Sequence, residues 1–202
     1  MAAAITDDAT GQSFADESFV GETWTERTFT DCAFFDADLS DLTTVSVVFD
    51  GCDFTGANFA DSTHRSSAFR NCTFRRTHLS GLTMSDCSLV GSVFSESRTL
   101  RWKLTDCDLT LVSLAGLRLL RADLTGCRLR EANLGESDLT GADLSGADLS
   151  SARAIGAILR DTTLHGARID PTLWRQAKVD GARVDPHHAL EFAMAYGLRI
   201  GD

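Results

Sequence analysis

A large apolar side chain recurs at every fifth residue over most of this 202-residue chain. Positions 14 to 184 provide 35 such sites in one uninterrupted phase, and 31 of them hold a large apolar residue. A period of five matches neither the α-helix nor the simple alternation of a β-strand. Because the phase never shifts, the sequence predicts an internal repeat without inserted loops. The four exceptions are Thr44, His64, Thr99 and Ala154.

A small residue stands two places before most of these large ones. At 25 of the 35 sites it is Ala, Cys, Ser or Thr. Residues spaced two apart point to the same side of an extended backbone, and the three-residue step to the next inward residue then requires a bend. Glycine supplies that corner at many repeats, as at Gly141 and Gly146. The pattern predicts short extended segments joined by corners.

The clearest repeats lie between residues 122 and 151 and read Ala-(Asp/Asn)-Leu-X-X. In this motif the sequence resembles the pentapeptide-repeat family over residues 12–184. The resemblance implies an all-β fold, a right-handed quadrilateral β-helix with four pentapeptides per coil, so that 35 repeats form nearly nine coils. The predicted organisation is an N-terminal tail over residues 1–11, the pentapeptide-repeat solenoid over 12–184, and a short C-terminal α-helix within 185–202.

The C-terminal segment carries helix signals in place of the repeat. Asp185 and Pro186 suit an N-cap and a first helical position, and Gly197 suits a C-terminal cap. The helix is predicted to cover the last coil, to join two protomers end to end as a homodimer, or to do both. The predicted dimer-interface residues are Trp174, Val184, Leu190, Phe192, Ala193, Met194, Tyr196 and Leu198.

The cysteines and His64 occupy inward positions of the repeat, and the cysteines and histidines form no recognisable site. All six cysteines occupy the small inward position, which predicts buried structural thiols in place of disulfides or metal ligands. His64 occupies a large inward position and is interpreted as a core substitution. No phosphate-binding loop, nucleophile motif or paired carboxylates stand out from the repeat. We therefore expect no enzyme activity, no catalytic, cofactor-binding or metal site, and no small-molecule substrate.

The chain is acidic, with a net charge of −10 and a pI near 4.8. That balance argues against direct binding to nucleic acid, which requires a basic surface, and against attraction to an anionic membrane. The first residues lack the features of a signal peptide, and no apolar run reaches membrane-spanning length. The sequence is therefore expected to be cytoplasmic.

The charge is unevenly distributed along the chain. Residues 1–61 contain 13 acidic and one basic residue, residues 62–130 contain five acidic and eleven basic, and residues 131–202 contain eleven acidic and seven basic. Outward carboxylates on a rod of DNA-like width suggest DNA mimicry, because DNA is itself a rod of regularly spaced negative charges. The predicted partner-facing carboxylates are Asp31, Asp36, Asp38, Asp41, Asp53, Asp61, Glu131, Glu136, Asp138, Asp143 and Asp148.

Several stretches outside the repeat consensus refine the resemblance. Residues 64–74, 125–131 and 170–175 are similar to the mycobacterial fluoroquinolone-resistance members of the family. That likeness implies a dimeric DNA mimic that binds DNA gyrase, a type II topoisomerase, modulates or inhibits it, and lessens fluoroquinolone action. The alternative is a pentapeptide-repeat scaffold or protein-interaction module unrelated to topoisomerases. The basic middle block favours that alternative, since a pure mimic does not need it.

Overall fold

The computed structural model describes residues 7–200, and these residues form a coiled succession of very short strands followed by two helices. None of the helices in this part of the chain is long and apolar enough to cross a lipid bilayer. The strands are β1 (Ala9–Thr10), β2 (Thr23–Thr25), β3 (Thr28–Thr30), β4 (Thr43–Val45), β5 (Val48–Asp50), β6 (Thr63–Arg65), β7 (Ala68–Arg70), β8 (Thr73–Arg75), β9 (Thr83–Ser85), β10 (Val93–Ser95) and β11 (Lys103–Thr105). The helices are α1 (Pro171–Gln176) and α2 (Pro186–Ala195).

Residues 20 apart pair in parallel, which confirms the predicted quadrilateral β-helix. Three sheets have the orders β1-β3-β5-β7, β8-β10 and β2-β4-β6-β9-β11. Single bridges continue the ladders beyond the named strands. One ladder passes through nine coils, as the period predicted; its members are Thr23, Thr43, Thr63, Thr83, Lys103, Asp123, Asp143, Thr163 and Arg183.

The core consists of inward side chains stacked along the axis. Phe34, Phe54, Phe74 and Phe94 stack with ring centroids 5.0, 5.0 and 4.4 Å apart. Leucines take over the large positions after residue 100. Each such side chain contributes about 1.5–3 kcal/mol through burial. The register of the whole rod is fixed by this core, because a slip of one residue would turn every inward side chain outward.

The six cysteines are buried and free, in agreement with their predicted packing role. Five of the thiols donate to backbone carbonyls of the preceding coil, and the Sγ of Cys52, for example, lies 3.3 Å from the Phe29 oxygen; the Cys107 thiol donates to the Thr105 carbonyl in its own coil. Burial raises the pKa of the Cys32 thiol, despite hydrogen bonds that favour the thiolate. These groups are small hydrophobic fillers.

The solenoid begins earlier than residue 12, the predicted start. Ala9 is 5% exposed, and β1 pairs in parallel with β3, so residues 9–10 belong to the first coil and not to the predicted tail. The large inward position is occupied there by alanine, which hides the repeat in the sequence. Residues 1–6 of the predicted tail lie outside the described residues.

Helix α1 replaces one face of the last coil, where the period predicted an extended pentapeptide. Trp174 stays buried in phase, but Leu173 beside it is buried too, as happens in a helix and not in an extended repeat. The backbone carbonyl and side-chain Oε1 of Gln176 accept from the N–H groups of Gly156 and Ala154, at 3.0 and 2.9 Å. These two N–H groups of the preceding coil therefore have acceptors, although no strand lies beside them.

Helix α2 begins and ends where the sequence predicted. Asp185 is its N-cap and Pro186 its first residue, and Gly197 follows its end at a φ of +88°. His188 attaches the helix to the solenoid: its Nδ1 accepts from the Asp185 N–H at 3.3 Å, and its Nε2 lies 2.9 Å from the Ala167 carbonyl oxygen.

Candidate functional site

The eleven predicted carboxylates fall into two structural classes. Five stand immediately before a large inward residue and are half-buried: Asp38, Asp53, Asp138, Asp143 and Asp148. Each accepts from the backbone N–H and the hydroxyl group two residues later; Asp143 Oδ1 lies 2.9 Å from the Ser145 nitrogen and 2.6 Å from its Oγ. Such Asx turns stabilise the local bend. These five carboxylates therefore have a structural role of their own.

The other six carboxylates lie at corners and are exposed: Asp31, Asp36, Asp41, Asp61, Glu131 and Glu136. All six have φ between 52° and 56°, in the left-handed region that a corner requires. Some corner aspartates lean along the axis onto a glycine of the next coil. A Cβ atom at Gly56, for example, would overlap Asp36 Oδ1.

The structure brings four of the eleven carboxylates together. Asp38 lies on one face of the second coil, with Asp36 and Asp41 at the corners that bound this face. Asp61 occupies the corner next to Asp41, one coil further along. We call these four residues the acidic face. Of the remaining seven, Glu136 and Asp138 lie on the same face five coils further along and the others lie on other faces, so the predicted set does not form one surface.

Basic neighbours reduce the free charge of some predicted carboxylates. Arg101 lies 3.6 Å from Asp61, and Arg168 and Arg130 lie 3.4 and 3.9 Å from Asp148. Burial acts to raise the pKa of Asp148, but hydrogen bonds from Ser150 and these two guanidinium groups outweigh it and lower the pKa. Asp148 is consequently held ionised within a structural network.

The predicted dimer residues form an apolar end, with one of them beneath its surface. Trp174 is only 2% exposed, whereas most of the others project outward; Met194 is 61% exposed. Phe192 packs edge-on against Trp174 at 6.0 Å, and the Tyr196 hydroxyl donates to the Trp174 carbonyl at 3.2 Å. The exposed apolar side chains of α2 and its C-terminal extension are Leu190, Phe192, Met194, Tyr196, Leu198 and Ile200.

Asp185, His187 and His188 place possible metal-ligand atoms within 4.8 Å of one another. Both ring nitrogens of His188 are already engaged, and Asp185 Oδ2 accepts from the Gly166 N–H at 2.6 Å. The contacts of Asp185 and His188 attach α2 to the solenoid, and they occupy atoms that a metal ion would need.

One concave surface was not predicted from the sequence. It is a groove lined by polar and apolar side chains of three successive coils, among them Arg98, Leu100, Leu117, Arg118 and Leu120. We call it the seam groove. The irregular residues Thr99 and Trp102 were the available signal, because both break the size pattern of the repeat.

Two family models, both described as pentapeptide repeats, match this sequence. One matches residues 103–130 and 127–166, and the other matches residues 49–93, so that together they cover more than half of the chain. No curated protein matches it significantly.

Solved structures of QnrB1, described as a plasmid-mediated fluoroquinolone resistance protein, are similar to this chain. A trypsin-treated QnrB1 variant is 21% identical, with a TM-score of 0.76 over 98% of this chain and 100% of that one. Full-length QnrB1 is 20% identical, with a TM-score of 0.71 over 95% of this chain and 100% of its own. Likeness at this level of identity shows a shared fold.

Proposed function

This chain belongs to the pentapeptide-repeat family, and from that premise we propose that it is a non-catalytic DNA mimic that binds DNA gyrase, a type II topoisomerase. The observation that carries the proposal is the acidic face. Asp36, Asp41 and Asp61 are exposed at corners with a fixed backbone conformation. Successive coils are about 4.8 Å apart along the rod, and the phosphates of one DNA strand follow one another at about 3.4 Å along the helix axis. The carboxylates therefore offer a basic DNA-binding groove the same sign of charge as DNA phosphates, at a comparable axial spacing.

Competition with DNA explains how such a protein modulates gyrase. Occupation of the DNA-binding groove lowers the amount of enzyme on DNA, which inhibits supercoiling and reduces the complexes that fluoroquinolones stabilise. QnrB1, which has the same fold, is a fluoroquinolone resistance protein, and this supports the assignment. The protein would act in the cytoplasm, with gyrase.

A homodimer through the apolar end belongs to the same proposal. Six apolar side chains are exposed there, including Leu190 and Met194, and a second copy of the chain would cover them. A twofold contact would place two rods end to end. One rod of nine coils is about 40 Å long and two would extend over about 80 Å, which lengthens the stretch of DNA that the protein can imitate.

The test is a supercoiling and drug-cleavage assay with purified gyrase. The variant Asp36→Asn/Asp41→Asn/Asp61→Asn removes three charges from the acidic face, and we expect it to require at least about tenfold more protein for the same effect. The matched control Asp86→Asn/Asp106→Asn/Asp180→Asn removes three exposed charges elsewhere and should resemble the wild type. If the wild-type protein has no effect at any stoichiometry, with or without a fluoroquinolone, the proposal is wrong.

One observation favours the second function, an interaction module unrelated to topoisomerases. Arg98, Arg101, Arg118 and Arg121 lie together on the face that carries the acidic residues nearer the N-terminus. A uniform DNA mimic has no use for this basic region. Intact dimerisation together with no effect of the wild-type protein on gyrase would support the second function.

A further inference from the structure

The wall of the β-helix is open along one stretch between two coils. In the preceding coil the Leu79 N–H donates to the Arg98 carbonyl at 2.8 Å. The equivalent donor one coil later is Thr99, and its N–H has no such bond in the described structure; only its Oγ1 reaches the Arg118 carbonyl, at 2.7 Å. Within residues 7–200, the N–H groups along this stretch that lack the usual bond between coils are those of Glu96, Thr99, Arg101 and Arg118.

The opening has a cause in the core. Thr99 is smaller than the Leu or Phe usual at its position, whereas Trp102 fills a position that normally holds Ala, Cys or Ser. The indole is 1% exposed and donates to the Leu79 carbonyl at 3.0 Å. Leu117, in the next coil, also exceeds the usual size at its position. We attribute the missing hydrogen bonds between the two coils to Trp102, because overfilling a packed interior displaces the surrounding backbone.

The seam groove lies at this opening, and its lining combines polar, apolar and basic groups. Leu100 is 62% exposed and Leu120 is half-buried, and both line the groove between Arg98 and Arg118. Glu96 also lines it, but its carboxylate is paired with Arg75 at 3.3 Å. Because that negative charge is compensated, the groove is basic.

The basic character is local. In the described part of the chain, no carboxylate lies within 4 Å of the guanidinium groups of Arg98, Arg118 or Arg121. On the same face, Asp41 precedes this region and Asp138 follows it. A long polyanion such as DNA would meet these carboxylates, and a free phosphate would gain nothing from the leucines.

We propose that the seam groove binds a short acidic segment of a partner protein that also carries apolar side chains. The guanidinium groups of Arg98 and Arg118 would bind its carboxylates through charge-assisted hydrogen bonds. Leu100 and Leu120 would cover its apolar side chains. The N–H groups of Glu96 and Thr99, at the border of the groove, offer further donors to carboxylate or carbonyl oxygens. This inference stands independently of the proposed role with gyrase.

The test measures fluorescence anisotropy of a labelled peptide of four Asp-Leu units, added to the full chain at low salt. We expect saturable binding by the wild type and at least about tenfold weaker binding by Arg98→Glu/Arg118→Glu. The matched control Arg153→Glu/Arg160→Glu makes the same charge change at exposed sites outside the groove and should bind as the wild type does. Leu100→Ser should weaken binding about threefold, since it removes apolar contact area. Circular dichroism establishes that each variant is folded.

Two comparison probes make the result decisive. A peptide of four Asp-Ser units lacks the apolar side chains, and an eight-nucleotide thymidine oligomer presents phosphates in their place; both should bind at least about tenfold more weakly than the Asp-Leu peptide. The proposal is overturned if the Asp-Leu peptide does not bind, if the two double variants lose binding equally, or if the oligonucleotide binds more tightly.

Discussion

His64 shows how a polar residue is accommodated at a large inward position. Its ring is fully buried between Phe59 and Phe69, at 5.8 and 5.0 Å. The Nδ1 atom lies 2.8 Å from Thr44 Oγ1, and Nε2 lies 3.1 Å from Ser62 Oγ. Two of the apparent defects in the repeat, Thr44 and His64, are therefore partners. Their spacing of 20 residues was visible in the sequence, but the hydrogen bond between them was not.

This site predicts a specific pH dependence of stability. Burial lowers the pKa of His64 from 6.5 to about 3. Below pH 6.5 the unfolded chain therefore binds a proton at His64, whereas the folded chain does not. The free energy of unfolding consequently falls by about 1.4 kcal/mol per pH unit as the pH decreases from 6.5 towards 3. Urea denaturation between pH 7 and 5 should show a smaller loss for His64→Met than for the wild type. His187→Gln, which removes an exposed histidine, should retain the wild-type slope; equal slopes for all three proteins would contradict the prediction.

A second prediction at the residue scale concerns the corners. Gly56 has a φ of +76° and lies beneath the Asp36 carboxylate, whereas Gly116 has a φ of +69° and open space within 4 Å of the point that a Cβ atom would occupy. An alanine at either site bears the left-handed strain of about 1–2 kcal/mol. Gly56→Ala should lose at least about 1 kcal/mol more than Gly116→Ala, because its methyl group must displace Asp36. Urea midpoints measure the difference, and equal losses would show that Asp36 moves freely.

At the scale of elements, the period of five determined the register and the inward side chains but not the backbone conformation everywhere. Helix α1 keeps Trp174 in phase, so nothing in the spacing distinguished it from a strand. Asp170 and Pro171, the same pair of residue types that begins α2, were the local signal. The acidic residues were predicted as a set, yet the separation into Asx turns and exposed corners depends on hydrogen bonds such as that from Ser145 to Asp143. Sequence spacing does not contain that information.

The seam between coils predicts locally fast hydrogen exchange. The amides of Glu96, Thr99 and Arg101 lack the bonds between coils that protect Leu79 and Gly81 in the preceding coil. We expect them to exchange at least about 100-fold faster, because a backbone N–H without an acceptor needs no opening step. Hydrogen exchange followed by NMR resolves the individual amides. Comparable protection in both coils would mean that the seam is closed in solution.

At the scale of the whole molecule, the distribution of apolar surface predicts assembly at one end. The double variant Met194→Glu/Leu198→Glu places charge on side chains that are 61% and 63% exposed. It should convert the dimer to a monomer without unfolding the solenoid, since neither residue is part of the buried core. Leu111→Glu, at an exposed leucine on the side wall, is the control. Analytical ultracentrifugation at micromolar concentration measures the outcome, and a monomeric wild type would refute the prediction.

The constant step of 20 residues per coil also governs how such a gene can change. An in-frame duplication of 20 codons adds one complete coil, which moves the acidic face about 4.8 Å further from the apolar end and leaves every side chain on its original face. A duplication of five codons instead turns all later residues by a quarter of the circumference. Duplications of whole coils therefore change the distance between the acidic face and the apolar end in fixed steps. Duplications of single pentapeptides change the face on which later side chains lie by right angles.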